Sequence, residues 1–272
     1  MGELEDFIDQ QRLNGRAFFT KPAALAALRQ SPKALQAAAS RLAKKGRLVS
    51  PRRGFYLILR PEDRLLGAPD PARWIDPLMA HLGLDYRVSL LRAAAFHGAA
   101  HQAAMVFQVI SPRQLPLIVI GRHRIEFLYQ TAEAFARTNQ PAWLDRLKTD
   151  AGFAKVAGLE LTLLDMCGYF HRAGGLNAAA QAVHDLGDKA RGSVLAAAAK
   201  AYDNTAVRRL GYLLEHFGYT RQSRSLAQYA EQAKSFTLLD PSLKPAARPL
   251  AACEERNKPW KLTINSDVEI DA

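Results

Sequence analysis

Gly192 and Ser193 begin the segment of this sequence that comes nearest to a metal-dependent enzyme motif. With Asp203 they match part of the Gly-Ser…Asp-x-Asp pattern, in which two carboxylates hold the metal ion of a nucleotidyltransferase. Thr205 stands where the second carboxylate is needed, and residues 194–202 have the alanine-rich composition of a helix rather than of strands. We therefore reject a nucleotidyl-transfer site here.

Two histidines have a spacing that a metal site could use. His97 and His101 are four residues apart, which on a helix places both imidazoles on one face. Gly98 interrupts that turn, and no glutamate or third histidine is found at the spacing of a zinc protease. Packing or capping roles account for both histidines.

Acidic residues near the start of an apolar helical pattern, Glu160 and Asp165, are the remaining catalytic candidates. The helix dipole favours an acid in the first turn, which explains Glu160 without catalysis. The sequence lacks the Gly-x-Ser-x-Gly elbow, the Gly-x-Gly-x-x-Gly loop, the Walker A loop and the Glu-x-Lys element of nucleases. It therefore predicts a protein that is not an enzyme and uses neither a cofactor nor a metal ion.

Cysteine content and apolar runs bear on where the protein acts. Cys167 and Cys253 are far apart in sequence, so neither a disulfide framework nor a thiolate metal site is expected. The longest strongly apolar run, 115–120, is much shorter than a membrane span, and the first residues lack the features of a signal peptide. These features predict a cytoplasmic protein with no membrane partner.

The net charge of +11 is concentrated in one segment. Between Arg16 and Arg60 there are eleven basic residues and no aspartate or glutamate, while the other 26 basic residues balance the 26 acidic ones. Such a field attracts polyanions, of which nucleic acids are the commonest in a cytoplasm. An anionic membrane would require bulky apolar anchors, and this segment is rich in alanine instead. We therefore expect the segment to bind nucleic acid.

Three helices are predicted in and just before this segment. Apolar residues at helical spacing indicate a first helix over 3–13. Thr20 is a suitable N-cap for a short second helix, which has Pro22 in its first turn. Ser31 is the N-cap of a third helix, which extends from Pro32 to about Lys45.

The third helix has an apolar face and a polar face. The apolar residues should pack on the first two helices, and they are Leu35, Ala38, Ala39 and Leu42. The polar face combines long donors with short residues, at Lys33, Gln36, Ser40 and Lys44, flanked by Ala37, Arg41 and Lys45. This combination allows close approach to base edges and phosphates. An isolated basic helix is equally consistent with a solvated surface, so the interpretation depends on the residues after the helix.

A basic hairpin comes directly after the third helix. Residues 47–50 and 55–59 have strand character, and Arg52 and Arg53 occupy the turn between them. A hairpin with two like charges at its tip, next to a basic helix, is typical of a winged helix-turn-helix. There the third helix enters the major groove, and the wing contacts phosphates or the minor groove. The predicted DNA contacts are Thr20, Lys21, Lys33, Gln36, Ser40, Arg41, Lys44, Lys45, Arg47, Arg52 and Arg53.

Composition divides the chain into a small and a large domain. We expect a winged helix-turn-helix domain over 1–62, a linker over 63–71 and a C-terminal domain over 72–272. The C-terminal domain has helical patterns at 74–82 and 86–97, short strands at 106–110, 117–120, 125–129 and 153–156, then helices at 159–171, 176–186, 190–202, 205–217 and 223–233. Alternation at Trp260, Leu262 and Ile264 indicates a closing strand. The predicted class is α+β, with a small sheet and a helical second half.

Several sequence blocks carry a resemblance to a known family. They are 42–48, 53–56, 86–98, 159–165, 209–215 and 260–265, and the later blocks are the more specific ones. In their order and spacing the chain resembles the AbiEi antitoxins of AbiE-type abortive-infection systems, also called type IV toxin–antitoxin systems. Glu160 departs from the pattern, which has Arg or Lys before the threonine of this block.

The resemblance implies a specific function. The N-terminal domain would bind inverted repeats in the promoter of its own operon and repress it. Independently of the resemblance, one small winged helix makes few contacts, so we expect two copies to bind a repeated site, with self-association on the DNA as an option. The C-terminal domain would counter a toxin that resembles a nucleotidyltransferase, with or without direct contact. The alternative is a winged-helix regulator, without a toxin partner, whose C-terminal domain binds a small effector or dimerises.

Overall fold

The computed structural model describes residues 2–99, 106–149, 151–243 and 255–270. The chain forms two compact units. The first comprises Met1–Arg87, Met105–Thr131 and Arg146–Lys155, and the second Val88–Ala104, Ala132–Asp145 and Val156–Ala272. The expected boundaries at 62 and 72 remain a prediction. The expected mixture of helices and small sheets is confirmed.

The N-terminal part of the first unit follows the predicted order of three helices and a hairpin. Its elements are α1 (Glu3–Leu13), β1 (Phe18–Thr20), α2 (Lys21–Ala27), α3 (Pro32–Lys44), β2 (Leu48–Arg52) and β3 (Phe55–Ile58). Strand β1 was not predicted. It pairs with β3, so the hairpin becomes a three-stranded antiparallel sheet in the order β1-β3-β2.

Both predicted N-caps are confirmed. Thr20 Oγ1 accepts a hydrogen bond from the Ala23 amide at 3.3 Å, and Ser31 Oγ accepts one from the Ala34 amide at 3.2 Å. Gly46 follows α3 with φ of 65°, a left-handed conformation that glycine adopts without a Cβ clash. These local contacts fix both ends of α3.

An apolar core holds α3 against the rest of this segment. Leu35 and Leu42 of α3 are buried together with Ile8 of α1, Phe19 of β1 and Ile58 of β3. The polar face of α3 is therefore turned to solvent by packing of its apolar face, as the sequence predicted.

Substituting Ser31→Ala is expected to destabilise the protein by about 1 kcal/mol, because the Ala34 amide loses its acceptor. The free energy of unfolding from urea denaturation measures this effect. Ser40→Ala on the same helix is the matched control, since Ser40 is exposed and caps nothing. Equal stability of the two variants would contradict a capping role for Ser31.

Several residues of the segment 60–74 are anchored in the first unit. Asp63 is buried and accepts hydrogen bonds from the Arg60 amide and guanidinium. Trp74 is fully buried, and its Nε1 donates to the Pro69 carbonyl oxygen at 2.9 Å. The segment that we expected to be a linker thus has a defined structure.

The remainder of the first unit contains helix α4 (Ile75–His81) and a six-stranded sheet in the order β6-β7-β5-β4-β9-β8. The strands are β4 (Arg87–Val88), β5 (Val106–Ser111), β6 (Ile118–Ile120), β7 (His123–Tyr129), β8 (Leu144–Thr149) and β9 (Gly152–Ala157). A few of their end residues are assigned to the second unit. Strand β7 is parallel to β5 and antiparallel to β6.

The second unit is mostly helical. Its helices are α5 (Leu90–Phe96), α6 (Ala132–Thr138), α7 (Leu159–Gly168), α8 (Leu176–Leu186), α9 (Gly192–Ala199), α10 (Asn204–His216), α11 (Thr220–Arg224) and α12 (Ala227–Gln232). Three short strands, β10 (Thr237–Leu238), β11 (Glu255–Asn257) and β12 (Leu262–Ile264), form a separate sheet in the order β10-β12-β11. The predicted closing strand is confirmed.

Three predicted helices need correction. The helix expected over 86–97 begins only at Leu90, because Val88 pairs with Val156 and so extends the backbone. The helix expected over 159–171 ends at Gly168, and a 3₁₀ turn comes after it. The pattern over 223–233 divides into α11 and α12 at Ser225 and Leu226.

Candidate nucleic-acid interface

The polar face of α3 lies open to solvent. Lys33, Gln36, Ser40 and Lys44 are all exposed, whereas Leu35 and Leu42 on the opposite face are buried. One face of the helix therefore presents two ammonium groups, an amide and a hydroxyl, with no carboxylate on the helix itself.

A cleft of about 300 Å³ lies between α3 and the hairpin. Lys21, Gln36, Ser40 and Arg53 contribute to its lining. The amide of Lys21 donates to the carbonyl oxygen of Gly54 at 2.7 Å, which ties the start of α2 to the hairpin tip. We define the α3 surface as Lys21, Lys33, Gln36, Ser40, Lys44 and Arg53.

The hairpin turn is closed by local contacts. Gly54 has φ of 81°, and Ser50 Oγ lies 2.8 Å from the carbonyl oxygens of both Arg52 and Phe55. The Arg53 side chain is exposed at the tip. Its guanidinium is therefore free to reach a phosphate group.

Two distant parts of the first unit fasten the same turn. The Arg52 guanidinium donates to the carbonyl oxygen of Pro116, and His81 Nε2 lies 3.2 Å from the carbonyl oxygen of Arg53. Burial lowers the pKa of Arg52. Arg52, a predicted DNA contact, thus holds the turn, and His81 and Pro116 are neighbours of the turn that no local sequence signal indicated.

Acidic residues of α1 neutralise part of the predicted site. Arg47 pairs with Glu5 at 3.4 Å and with Asp9 at 3.1 Å, and Lys45 lies 3.9 Å from Glu5. The pKa of Glu5 is lowered, first by a hydrogen bond from the Gly2 amide and then by these two cations. The charge count between Arg16 and Arg60 omits the acidic residues of α1, which precede that range in the sequence. It therefore overstates how much positive charge is open to solvent.

The eleven predicted contacts therefore fall into distinct groups. Six of them form the α3 surface. Thr20 is the cap of α2, and Arg41 and Lys45 line a depression on the α1 side of α3. Arg47 is ion-paired and Arg52 is bound to the Pro116 carbonyl. Their contact with DNA remains a prediction.

Changing Glu5→Gln is expected to strengthen binding to duplex DNA of mixed sequence, because Arg47 and Lys45 lose a competing carboxylate. One additional phosphate contact strengthens binding up to about fivefold at physiological salt and steepens the logarithmic salt slope by about 0.9. Fluorescence anisotropy at several salt concentrations measures both quantities. Asp6→Asn removes the same charge from an exposed position of α1 and is the control. Identical slopes for the two variants would refute this role of Glu5.

The candidate catalytic residues in the second unit are engaged in hydrogen bonds and an ion pair within that unit. Glu160 is buried and pairs with Arg191, whose Nε lies 3.0 Å from Glu160 Oε1. Burial alone raises the pKa of Glu160, but the hydrogen bonds from Arg191 outweigh it, so the pKa is lowered. Asp165 accepts hydrogen bonds from Ser89 and Tyr202, each at 2.6 Å.

Of the remaining candidates, only His97 and Cys167 lie among the described residues, and each is accounted for by its surroundings. His97 Nε2 lies 2.8 Å from the carbonyl oxygen of Ala157, and His101 is outside the described residues. Burial raises the pKa of the Cys167 thiol to about 12, and Cys253 is likewise outside the described residues. Within the described parts of the chain, no group of three His, Cys, Asp or Glu residues could hold a metal ion. Helices long and apolar enough to cross a membrane are not found there either.

The fold is similar to that of a solved structure. A crystal structure of the Rv2827c protein from Mycobacterium tuberculosis superposes with a TM-score of 0.65, covering 94% of this chain and 89% of that chain. At 15% sequence identity this likeness concerns the fold alone. A search of curated proteins gives no match.

A family model matches the middle of the chain. The model of the AbiEi antitoxin C-terminal domain matches residues 87–216. This part of the chain is similar to AbiEi antitoxins, and the resemblance inferred from the sequence is confirmed. The family is one of antitoxins and transcriptional regulators that are in general not enzymes.

Proposed function

We propose that this protein is an antitoxin of a type IV toxin–antitoxin system that represses its own operon by binding inverted repeats in the promoter. In this proposal residues 1–62 are a winged helix-turn-helix, with α3 as the recognition helix and β2–β3 as the wing. The C-terminal domain counteracts a nucleotidyltransferase-like toxin encoded beside it. Both activities belong in the cytoplasm, where promoter DNA is located.

The main support for DNA binding is the exposed charge and polarity of the α3 surface. On the α3 surface, Lys33, Lys44 and Arg53 provide exposed charge for phosphate groups, while Gln36 and Ser40 lie between the two lysines on the exposed face of the helix. A glutamine can bind adenine through two hydrogen bonds, and a serine can accept or donate one. This division supports phosphate contacts at the edges of the surface and base contacts at its centre.

The family match supports the antitoxin activity. It covers residues 87–216, which lie outside α3 and the hairpin. We therefore assign toxin neutralisation to a different part of the chain from DNA binding. Two activities on separate surfaces should be separable by mutation.

The test uses full-length protein and the neighbouring toxin-like gene. Gln36→Ala with Ser40→Ala should abolish repression of a reporter fused to the protein's own promoter, yet still rescue growth when the toxin is produced. Ala37→Ser on the same face is a control that keeps repression. Loss of rescue together with repression would contradict separate surfaces, and failure of the wild-type protein to rescue would contradict the antitoxin proposal.

A second candidate function is a regulator that responds to a small molecule. The observation that favours it is a cleft of about 560 Å³ in the second unit, lined by Leu91, Ala94, Ala178, Gln181 and Asp185 among others. Its lining mixes apolar and polar side chains, and small-molecule sites combine apolar walls with a few polar groups. Promoter affinity that changes on addition of low-molecular-mass cell extract, with no toxicity from the adjacent gene, would favour this function over the first.

A further inference from the structure

A second basic cleft lies in the second unit, far in sequence from α3. It is enclosed by the turn 188–193 and by helix α11 with the residue after it, and its volume is about 720 Å³. The side-chain amide of Gln222 donates to the carbonyl oxygen of Asp188 at 3.0 Å and joins the two walls. We call it the basic cleft, and its charged members are Asp188, Lys189, Arg191, Arg221 and Arg224.

The net charge of the basic cleft is positive. Its lining holds three guanidinium groups, one ammonium group and one carboxylate, that of Asp188, while the carboxylate of Glu160 pairs with Arg191. Among the residues that the structure describes, no acidic side chain forms an ion pair with Lys189, Arg221 or Arg224. Cations with no protein partner in a concave surface are available to an external anion.

The buried carboxylate of Glu160 fixes the position of Arg191. Its amide donates to Glu160 Oε1 at 2.9 Å, and its Nε and Nη2 lie 3.0 Å and 3.5 Å from the two carboxylate oxygens. The Glu160 side chain is only 5% exposed, whereas that of Arg191 is 71% exposed. A fixed and exposed guanidinium loses little conformational entropy on binding an anion. The resemblance to the family led us to expect a basic residue in place of Glu160. The role of Glu160 in this structure is to hold Arg191.

The lining indicates which kind of anion fits. It contains no apolar side chain larger than alanine and no aromatic ring. A protein partner would require an apolar centre for its interface, and unstacked bases would require aromatic platforms. Guanidinium groups bind phosphate oxygens through paired hydrogen bonds. We propose that the basic cleft binds phosphate groups of a nucleic-acid backbone, as a second nucleic-acid site independent of the α3 surface.

The experiment uses full-length protein in which Lys33, Lys44 and Arg53 are alanine, so that residual binding reports on other surfaces. Arg221→Ala and Arg224→Ala are then added. The matched control is Lys200→Ala with Lys258→Ala, which removes two exposed charges from the second unit outside the cleft. The probes are a 20-base-pair DNA duplex, a 20-nucleotide single-stranded RNA and inorganic phosphate as competitor.

The cleft variant should bind at least one polymer about 25-fold more weakly than the control at physiological salt, because two phosphate contacts are lost. Its salt slope should fall by about 1.8 for the duplex or about 1.4 for the RNA. The polymer that shows the loss identifies the source of the phosphate groups. A charge-preserving variant, Arg221→Lys with Arg224→Lys, should recover much of the slope.

Equal affinity of the cleft variant and the control for both polymers would overturn the proposal. Displacement of both polymers by inorganic phosphate at low millimolar concentration would also overturn it, because the site would then hold a free anion rather than a backbone. The background lacks three cations of the α3 surface. A failure of this test therefore does not affect the proposal that α3 binds DNA. Likewise, a failure of DNA binding by α3 does not affect the proposal for the basic cleft.

Discussion

Replacing Lys33, Lys44 and Arg53 by alanine is expected to weaken binding to duplex DNA about a hundredfold at physiological salt. Each of these cations is exposed on the α3 surface, and none of them is paired with a carboxylate in the described structure. Each lost phosphate contact lowers the logarithmic salt slope by about 0.9, so the triple variant should lose about 2.7. The loss should be the same for operator and unrelated sequences, because phosphate contacts carry no sequence information.

The matched control for this variant is a change of three exposed cations on other parts of the chain. Arg12, Arg16 and Arg29 lie in the N-terminal part of the first unit but outside the α3 surface. Their replacement by alanine removes the same charge and should have a much smaller effect on the slope. Equal effects of the two triple variants would show that net charge, rather than the α3 surface, determines binding.

The largest expected effect on stability comes from Gly211→Ala. A Cβ atom at this position would lie 2.1 Å from Cζ3 of the Trp260 ring, which is buried and whose Nε1 donates to Glu215. The ring cannot remain there, and overpacking of this severity costs about 3 kcal/mol. The free energy of unfolding from urea denaturation should fall by that amount.

A double-mutant cycle with Trp260→Ala separates this cause from a helix-propensity effect. Trp260→Ala alone should cost about 3–5 kcal/mol through the cavity that it leaves. In that background Gly211→Ala should cost nothing and even stabilise α10, because alanine favours a helix over glycine. Additive costs in the double variant would be inconsistent with ring contact as the cause.

The local features of the N-terminal segment were predictable from sequence. Thr20 and Ser31 are caps that act within three residues, and apolar spacing within α1 and α3 fixes their buried faces. The hairpin is predicted by strand residues on both sides of a Gly54 turn. Signals of this kind depend on neighbours in the chain, so a sequence reveals them.

Features that depend on distant residues were not predictable. The helix expected from position 86 gives way to strand β4, because pairing of Val88 with Val156 outweighs local helical spacing. The ion pairs of Glu5 and Asp9 with Arg47 join residues about forty positions apart. The contacts of the hairpin tip with His81 and Pro116 also join residues that are distant in sequence. Because these contacts and ion pairs occupy some of the predicted residues, the α3 surface contains fewer residues than the predicted set of DNA contacts.

The central claim is that the α3 surface recognises the promoter of the protein's own operon. Its most direct test is fluorescence anisotropy of the full-length protein on a duplex from that promoter and on a scrambled duplex of equal composition. We expect tighter binding to the promoter, and a Gln36→Ala, Ser40→Ala variant should retain the scrambled-duplex affinity while losing the preference. Equal wild-type affinity for the two duplexes would contradict the claim.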